Sequence, residues 1–197
     1  MKKDTVMNLW SRNLVLASVL IGGLTLSSCS FGPRTYDDLK IESLETGIIH
    51  DSLFLGMYFK MPRDDFYNYC YEKNREGVFT HGQGNMSVAY DLGDQLSHPA
   101  TLNFYPRFNP REKWMSGMNT SVHYKDWAPW LKDRFAQPLM DDFAPVLEEW
   151  FGKSMVKVTK DGKPFYYILD GNMELTMTPL DDQMVDISIT DLSQQSL

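Results

Sequence analysis

The amino-acid sequence predicts an α+β fold, with helices packed on one face of an antiparallel sheet. Apolar residues recur at helical spacing in two separate segments, and each segment is followed by stretches in which apolar and polar residues alternate. Asp-Gly pairs, which favour hairpin turns, separate the last of these stretches. Because the order of helix followed by strands occurs twice, the pattern also admits a tandem of two helix-plus-sheet units.

Residues 1–28 have the composition of an export signal. Lys2 and Lys3 give a positively charged start, an uncharged apolar run extends from Leu14 to Leu26, and two small residues follow it. The run is shorter than the roughly 20 apolar residues that a membrane-spanning helix needs. We therefore expect residues 1–28 to be a signal peptide that is removed from the mature protein.

The tetrapeptide Leu26-Ser27-Ser28-Cys29 resembles the lipobox of bacterial lipoproteins. This resemblance implies cleavage before Cys29, a diacylglycerol on its sulfur, and an acyl chain such as palmitate on the freed amine. Two or more acyl chains anchor a protein stably in a membrane, whereas one does not. In this family Asp after the cysteine commonly marks inner-membrane retention, so Ser30 favours the outer membrane and leaves the leaflet open. An ordinary signal peptide and a buried helix with a chance cysteine remain the alternatives.

Removing the signal peptide changes the net charge and the cysteine content. The full sequence carries −7 and residues 1–28 carry +2, so the remaining 169 residues carry −9. An acidic chain lacks the basic face that nucleic-acid binding requires, so we expect no nucleic-acid partner. With Cys29 bound to lipid, one cysteine is left. Cys70 falls in a helical stretch, which favours a buried core residue over a nucleophile.

The mature chain is predicted as a tether and one domain. Residues 29–39 contain Gly, Pro and a pair of Asp residues, so we expect a lipidated tether there. The α+β domain then spans residues 40–197, and a tandem would divide it into halves at 40–125 and 126–197.

Each predicted half begins with a helix and continues with strands. Asp64 is a candidate N-cap for the first helix, whose inner residues are Phe66, Tyr69 and Cys70. The elements predicted for the first half are short strands at 48–49 and 53–59, a helix from Asp65 to Arg75, and strands at 86–92, 102–108 and 118–124. Those predicted for the second half are a helical region from Asp126, a break at Pro138, a helix from Leu139 to Phe151, and strands at 155–159, 165–169, 173–178 and 184–190.

Gly56, Met61 and Phe66 precede or begin a short helix that closes at Gly77. With the order of elements, these residues resemble small envelope lipoproteins of the outer-membrane assembly BamE type and the tandem modules of secreted β-lactamase inhibitor proteins. The resemblance implies an α+β architecture and protein binding. It assigns a function to no individual residue.

The sequence contains no recognisable catalytic or cofactor motif. The histidines have no metal-ligand spacing, and no P-loop or Gly-x-Ser-x-Gly elbow is present. We therefore expect a protein that is not an enzyme and that has no cofactor or metal. A hydrolase whose site is assembled from distant residues remains a further alternative.

Tryptophan is concentrated in one segment, at Trp114, Trp127 and Trp130. Such residues either pack in the core between a helix and a sheet, or form an exposed surface that binds a sugar ring or a partner protein. The sequence thus predicts a non-enzymatic lipoprotein, bound to the membrane through its N-terminal lipid, that contacts another envelope component. That component is expected to be a protein. The alternative is a glycan-binding accessory lipoprotein that uses these three tryptophans.

Overall fold

The computed structural model describes residues 34–82 and 86–195, and the described residues from Thr35 onward form one compact unit. The helices are α1 (Tyr36–Glu45), α2 (Arg63–Arg75) and α3 (Ala136–Phe151). The strands are β1 (Phe79–His81), β2 (Val88–Asp91), β3 (Ala100–Phe108), β4 (Met115–Tyr124), β5 (Val156–Lys160), β6 (Lys163–Asp170), β7 (Met173–Pro179) and β8 (Met184–Asp191). The predicted signal peptide and the predicted lipidation site at Cys29 lie outside the described residues.

All eight strands belong to one antiparallel sheet, in the order β1-β2-β3-β4-β8-β7-β6-β5. Strands β1 to β4 follow one another as a meander, and so do β5 to β8. The two meanders join where β4 pairs with β8, from Gly117 opposite Thr190 to His123 opposite Met184. The fold is therefore mixed α+β, as the sequence predicts.

The predicted strands of the second half are confirmed to within about two residues at each end. For β5 and β6 the Asp161-Gly162 turn explains this accuracy, because both residues adopt positive φ, at 52° and 75°. Two positive φ angles are what a tight hairpin between twisted strands requires. Lys160 and Lys163 face each other across this turn, which fixes the register of β5 on β6.

Helices α2 and α3 contact the face of the sheet that holds the core. The ring of Phe66 on α2 lies 6.0 Å from that of Phe108. On α3, the carboxylate of Asp141 accepts a hydrogen bond of 2.8 Å from the Tyr166 hydroxyl. The helix thereby joins β6, and its buried residues fill the centre of the core: Leu139, Met140, Phe143 and Leu147.

Helix α1 was not predicted, and it lies on the opposite face. The ring of Tyr36 contacts Phe165 and Tyr167, which alternate with the core residues of β6. The helix begins at a capping box, in which Thr35 and Asp38 exchange hydrogen bonds through their side chains and backbone amides. Part of the expected tether, from Tyr36 onwards, is thus helical, and the arrangement departs from the predicted one with all helices on one face.

Three other local predictions are wrong. Residues 48–49 and 53–59 form loops with one isolated bridge, although Leu53 and Phe59 are buried in the core. The helical region predicted from Asp126 contains only a short 3-10 helix at Lys132–Arg134 before α3 begins at Ala136. Its start is not helical because a residue before proline, here Ala128, disfavours helical backbone. Pro138 does not break α3 because it occupies the first turn, where an amide N–H has no helical partner.

The start of α2 also differs from the prediction. The N-cap is Pro62 rather than Asp64, and no side chain caps the helix. Asp64 and Asp65 lie instead in the first turn, where their charge favours the helix dipole. Within residues 34–82 and 86–195, no helix combines the length and apolar character needed to cross a bilayer.

Candidate functional site

An apolar groove of about 380 Å³ lies between α2 and the strands β1 to β3. Helix α2 supplies one wall, and residues of β1, of β3 and of the segment from Met86 to Val88 supply the other. The lining residues are Phe66, Tyr67, Cys70, Tyr71, Asn74, Phe79, Thr80, His81, Met86, Ser87, Val88, Tyr105, Pro106 and Phe108. This volume falls in the range of small-ligand and side-chain pockets in proteins.

Aromatic contacts hold α2 against the sheet and so set the width of the groove. Phe66 is almost fully buried, and the ring of Tyr69 lies 6.1 Å from that of Phe79. The Tyr69 hydroxyl donates a hydrogen bond of 2.6 Å to the backbone oxygen of Leu55. The Asn74 amide donates one of 2.9 Å to the backbone oxygen of Phe79, which joins the end of the helix to the first strand.

Four large side chains around the groove keep much of their surface in water. Tyr67 and Tyr71 are 57% and 66% exposed, and they lie one helical turn apart on α2. Tyr105 on β3 is 49% exposed and Met86 is 83% exposed. A contiguous exposed surface of aromatic and methionine side chains is typical of a binding site rather than of an ordinary solvated face.

Cys70 lies at the side of this groove and is half-buried. Burial raises the pKa of its thiol to about 11. The thiol therefore stays protonated at neutral pH and is a weak nucleophile. Its contacts with the core match the predicted role of a small apolar residue.

The three tryptophans proposed as one surface are not brought together. Trp114 directly precedes β4, whereas Trp127 and Trp130 follow its last residue, so the length of a ten-residue strand separates them. Trp114 is half-buried and its backbone bridges to Pro62. Trp127 stacks obliquely on Phe135, with ring centres 5.8 Å apart. Trp130 is 78% exposed.

The four histidines lie apart and have separate surroundings. The His50 imidazole lies 2.8 Å from the Asp170 carboxylate, and the His98 ring contacts Tyr124 edge-on. Burial lowers the pKa of His123. Across the described parts of the chain, no three His, Cys, Asp or Glu side chains converge in a way that would hold a metal ion.

Sequence reasoning did not find the groove, because its lining residues come from several separate segments between Phe66 and Phe108 that only the folded sheet brings together. The alternation at residues 86–92 and 102–108 predicted the strands, and the spacing of Phe66 and Cys70 predicted the inner side of the helix. The signal that was available is the pair Tyr67 and Tyr71, large aromatic residues on the outer side of a predicted amphipathic helix.

Comparison with known proteins gives no assignment for this fold or this groove. No protein-family model matches the chain, and neither the curated proteins nor the solved structures include a significant match.

Proposed function

We propose that this protein is a non-enzymatic lipoprotein of the bacterial outer membrane whose α+β domain binds another envelope protein through the α2 groove. The observation that carries the binding function is the ring of exposed Tyr67, Tyr71, Met86 and Tyr105 around one apolar groove. The export signal and the lipobox-like cysteine in the sequence support the location.

A polypeptide partner fits the chemistry of the groove better than a charged metabolite does. The α2 wall is built from Phe66, Tyr67, Cys70, Tyr71 and Asn74, none of which carries a charge at neutral pH. Tyr and Met are enriched at the centres of protein interfaces, where they fill or form pockets for apolar side chains. The proposed occupant is therefore an apolar segment of a partner protein, with two or three large side chains that enter the groove.

The binding proposal is tested with a photo-crosslinking amino acid at position 71 in cells that contain the protein's natural envelope. We expect one reproducible protein adduct when the crosslinker replaces Tyr71, and none when it replaces Trp130, which is more exposed and lies outside the groove. The unlabelled Tyr71→Ser variant should lose co-purification of the same partner. Equal adducts from both positions, or none from position 71, would contradict a partner in the groove.

The lipid anchor is tested separately. Cys29→Ala removes the sulfur that would carry the diacylglycerol, so we expect the variant to leave the membrane fraction. Cys70→Ala is the matched control and should remain membrane-bound. Persistent membrane association of the Cys29→Ala protein would refute the lipoprotein assignment without bearing on the groove.

The tandem interpretation of the fold belongs to the same proposal. Each half would consist of one helix and the four-stranded meander that follows it, α2 with β1 to β4 and α3 with β5 to β8. The strand order supports this interpretation because the last strand of each meander lies at the joint. Helices α2 and α3 would share the core face, with α1 as an addition on the other.

The second candidate function is a glycan-binding accessory lipoprotein that uses exposed tryptophan. Trp130 supports it, since an indole ring that is 78% exposed offers a flat surface to a sugar. Trp127 lies three residues before Trp130, at the same end of β4, whereas Trp114 lies at the opposite end of that strand. A sugar site at Trp130 could therefore include Trp127 but not Trp114. Oligosaccharide-dependent fluorescence that Trp130→Ala abolishes would favour this function over the groove.

A further inference from the structure

The face of the sheet opposite the core carries a second cavity, of about 200 Å³, away from the tryptophan segment. Its floor is formed by β3, β4 and β8, three neighbouring strands at the middle of the sheet. Asn103 pairs with Ser121, and Ser121 pairs with Asp186, so one polar row crosses all three strands. We call this cavity the open-face pocket.

Asn103 distinguishes this pocket from an ordinary solvated sheet face. Its side chain is polar, yet the residue is only 7% exposed. Buried amides in folded proteins normally have hydrogen-bond partners. Within residues 34–82 and 86–195, the Asn103 side chain has none, although it lines the pocket. Its donors and acceptor are therefore available to whatever occupies the pocket.

The other polar side chains in the row, Ser121 and Asp186, are also available to hydrogen-bond to a ligand. The Ser121 hydroxyl and the Asp186 carboxylate also lack hydrogen bonds to other side chains in the described part of the protein. Asp186 is exposed to solvent, yet the surrounding protein desolvates its carboxylate enough to raise its pKa, and the nearby Arg107 guanidinium opposes that rise. One carboxylate, one hydroxyl and one amide thus lie on the same face of the sheet without side-chain hydrogen bonds in the described part of the protein.

Arg107 orients a fourth group, the Asn119 amide. The guanidinium of Arg107 donates a hydrogen bond to the Asn119 side-chain oxygen, which leaves the amide nitrogen of Asn119 as a donor toward the pocket. The guanidinium also donates to Ser188 Oγ at 3.0 Å and to the backbone oxygen of Ile189 at 2.8 Å. A Cβ at Gly117 would lie 2.3 Å from Arg107 Nη2, so glycine makes room for this arginine.

Two side chains give the pocket an apolar rim. Tyr105 is 49% exposed and Leu180 is 58% exposed, and both line the opening. An aromatic ring beside a set of amide, hydroxyl and carboxylate groups is complementary to a ring that carries hydroxyl groups at its edge and C–H bonds on its face. From this arrangement we propose that the open-face pocket binds a neutral saccharide ring, with Asn103, Asn119, Ser121 and Asp186 on its hydroxyl groups and Tyr105 against its C–H face.

Other ligand classes fit this pocket less well. A metal ion would find one carboxylate beside an arginine, and no three acidic, histidine or cysteine side chains converge among the described residues. An anion would be repelled by Asp186, and the guanidinium nearby is already engaged by neutral oxygens. A neutral polyhydroxylated ring uses both the donors and the acceptors that are present. This inference shares Tyr105 with the rim of the α2 groove, but it depends on neither the lipid anchor nor partner binding in that groove.

The test uses the full chain in detergent and three probes that differ in hydroxyl pattern: methyl α-glucoside, methyl β-galactoside and N-acetylglucosamine. We expect saturable binding of at least one probe by calorimetry, and saturation-transfer signals from its C–H protons. Asp186→Asn and Asn103→Leu should each weaken binding about tenfold or more, because each removes hydrogen bonds from a partly desolvated site. Asp182→Asn removes the same charge from a carboxylate that is also exposed but does not line the pocket, and it should leave binding unchanged.

Hydrogen exchange on the unmodified protein locates the probe without any variant. Protection that the bound sugar induces should fall in β3, β4 and β8. The proposal is overturned if none of the probes binds at concentrations up to tens of millimolar, or if Asp186→Asn binds as well as the wild type. It is equally overturned if Trp130→Ala abolishes binding, which would instead assign the sugar to the tryptophan segment.

Discussion

The hydroxyl group of Tyr124, at the end of β4, donates a hydrogen bond of 2.7 Å to Oδ2 of Asp142 in α3. The same oxygen accepts hydrogen bonds from the backbone amide and the hydroxyl of Ser97, at 2.8 Å and 2.7 Å. One carboxylate oxygen therefore joins the central strand, the loop before β3 and the long helix. Tyr124 is 2% exposed, so this contact lies against the core.

Removing the Tyr124 hydroxyl should destabilise the domain. Tyr124→Phe keeps the ring but leaves Asp142 with one donor fewer, and the loss of a hydrogen bond to a charged acceptor costs about 1.5–3 kcal/mol. The free energy of unfolding, measured with urea, should fall by that amount. Tyr71→Phe, on an exposed ring, is the control and should change it by less than about 0.5 kcal/mol. Equal effects in the two variants would show that the Asp142 contact adds nothing.

The stability of the domain should fall in acid partly through Asp142. Burial acts to raise the pKa of this carboxyl group, but the hydrogen bonds from Tyr124 and Ser97 outweigh it and lower the pKa below the ordinary value of 3.8. The unfolded chain therefore takes up a proton before the folded one does. The stabilisation is complete well above pH 4 and is lost as the pH falls through the lowered pKa.

Asp142→Asn isolates this contribution. We expect the difference in unfolding free energy between wild type and Asp142→Asn to be largest near neutral pH and to shrink progressively below pH 4. Urea denaturation at several pH values between 3 and 7 measures it. Asp182→Asn, in an exposed turn, is the matched control. A difference that stayed constant over this range would mean that Asp142 has the same pKa in both states.

Gly117→Ala should be more damaging than a typical glycine substitution. Its Cβ would lie 2.5 Å from the backbone oxygen of Ile189 and 2.3 Å from Arg107 Nη2, and the backbone oxygen cannot move away without disturbing the β4–β8 pairing. We expect a loss of about 2–4 kcal/mol in unfolding free energy. Gly77→Ala, at φ +75° with no neighbour within 4 Å, measures backbone strain alone and should cost about 1 kcal/mol.

Cys70 should react slowly with thiol reagents. A pKa of about 11 instead of 9.0 lowers the thiolate fraction about a hundredfold at pH 8. The rate of alkylation by iodoacetamide should continue to rise up to and beyond pH 11, whereas that of a free cysteine peptide should level off near pH 10. The Cys29→Ala chain has Cys70 as its single cysteine and is the form to use. A partner in the α2 groove should slow the reaction further.

The strands of this protein could be predicted well and its loops poorly, for a physical reason. Alternation marks a strand wherever one face is buried and the other is not, as in β4 and β8. Leu53 and Phe59 are equally buried, but they reach the core from loops that turn at Leu55 and Gly56, where φ is 52° and 78°. Burial of this kind has no periodicity and is invisible to pattern analysis.

The unpredicted helix had a clear local signal in the sequence, whereas the candidate sites depend on strands that are far apart in the chain. Helix α1 had a local signal, since Thr35 and Asp38 have the spacing of a capping box. The α2 groove had only the pair Tyr67 and Tyr71 on the outer side of a predicted helix, and the open-face pocket had no local signal, because both sites exist only after strands pair. Asn103, Ser121 and Asp186 lie in one row through register alone, and a one-residue shift of any of the three strands would turn its side chain to the other face.

The pairing of β4 with β8 also constrains the order in which the protein can be made. Gly117 finds its partner only at Thr190, 73 residues later in the chain. Until those residues have emerged and folded, β4 presents a ten-residue row of unpaired backbone groups, as an open strand edge does. A chain arrested before β8 should therefore self-associate along β4, and a chaperone that covers this edge would be most valuable during that interval.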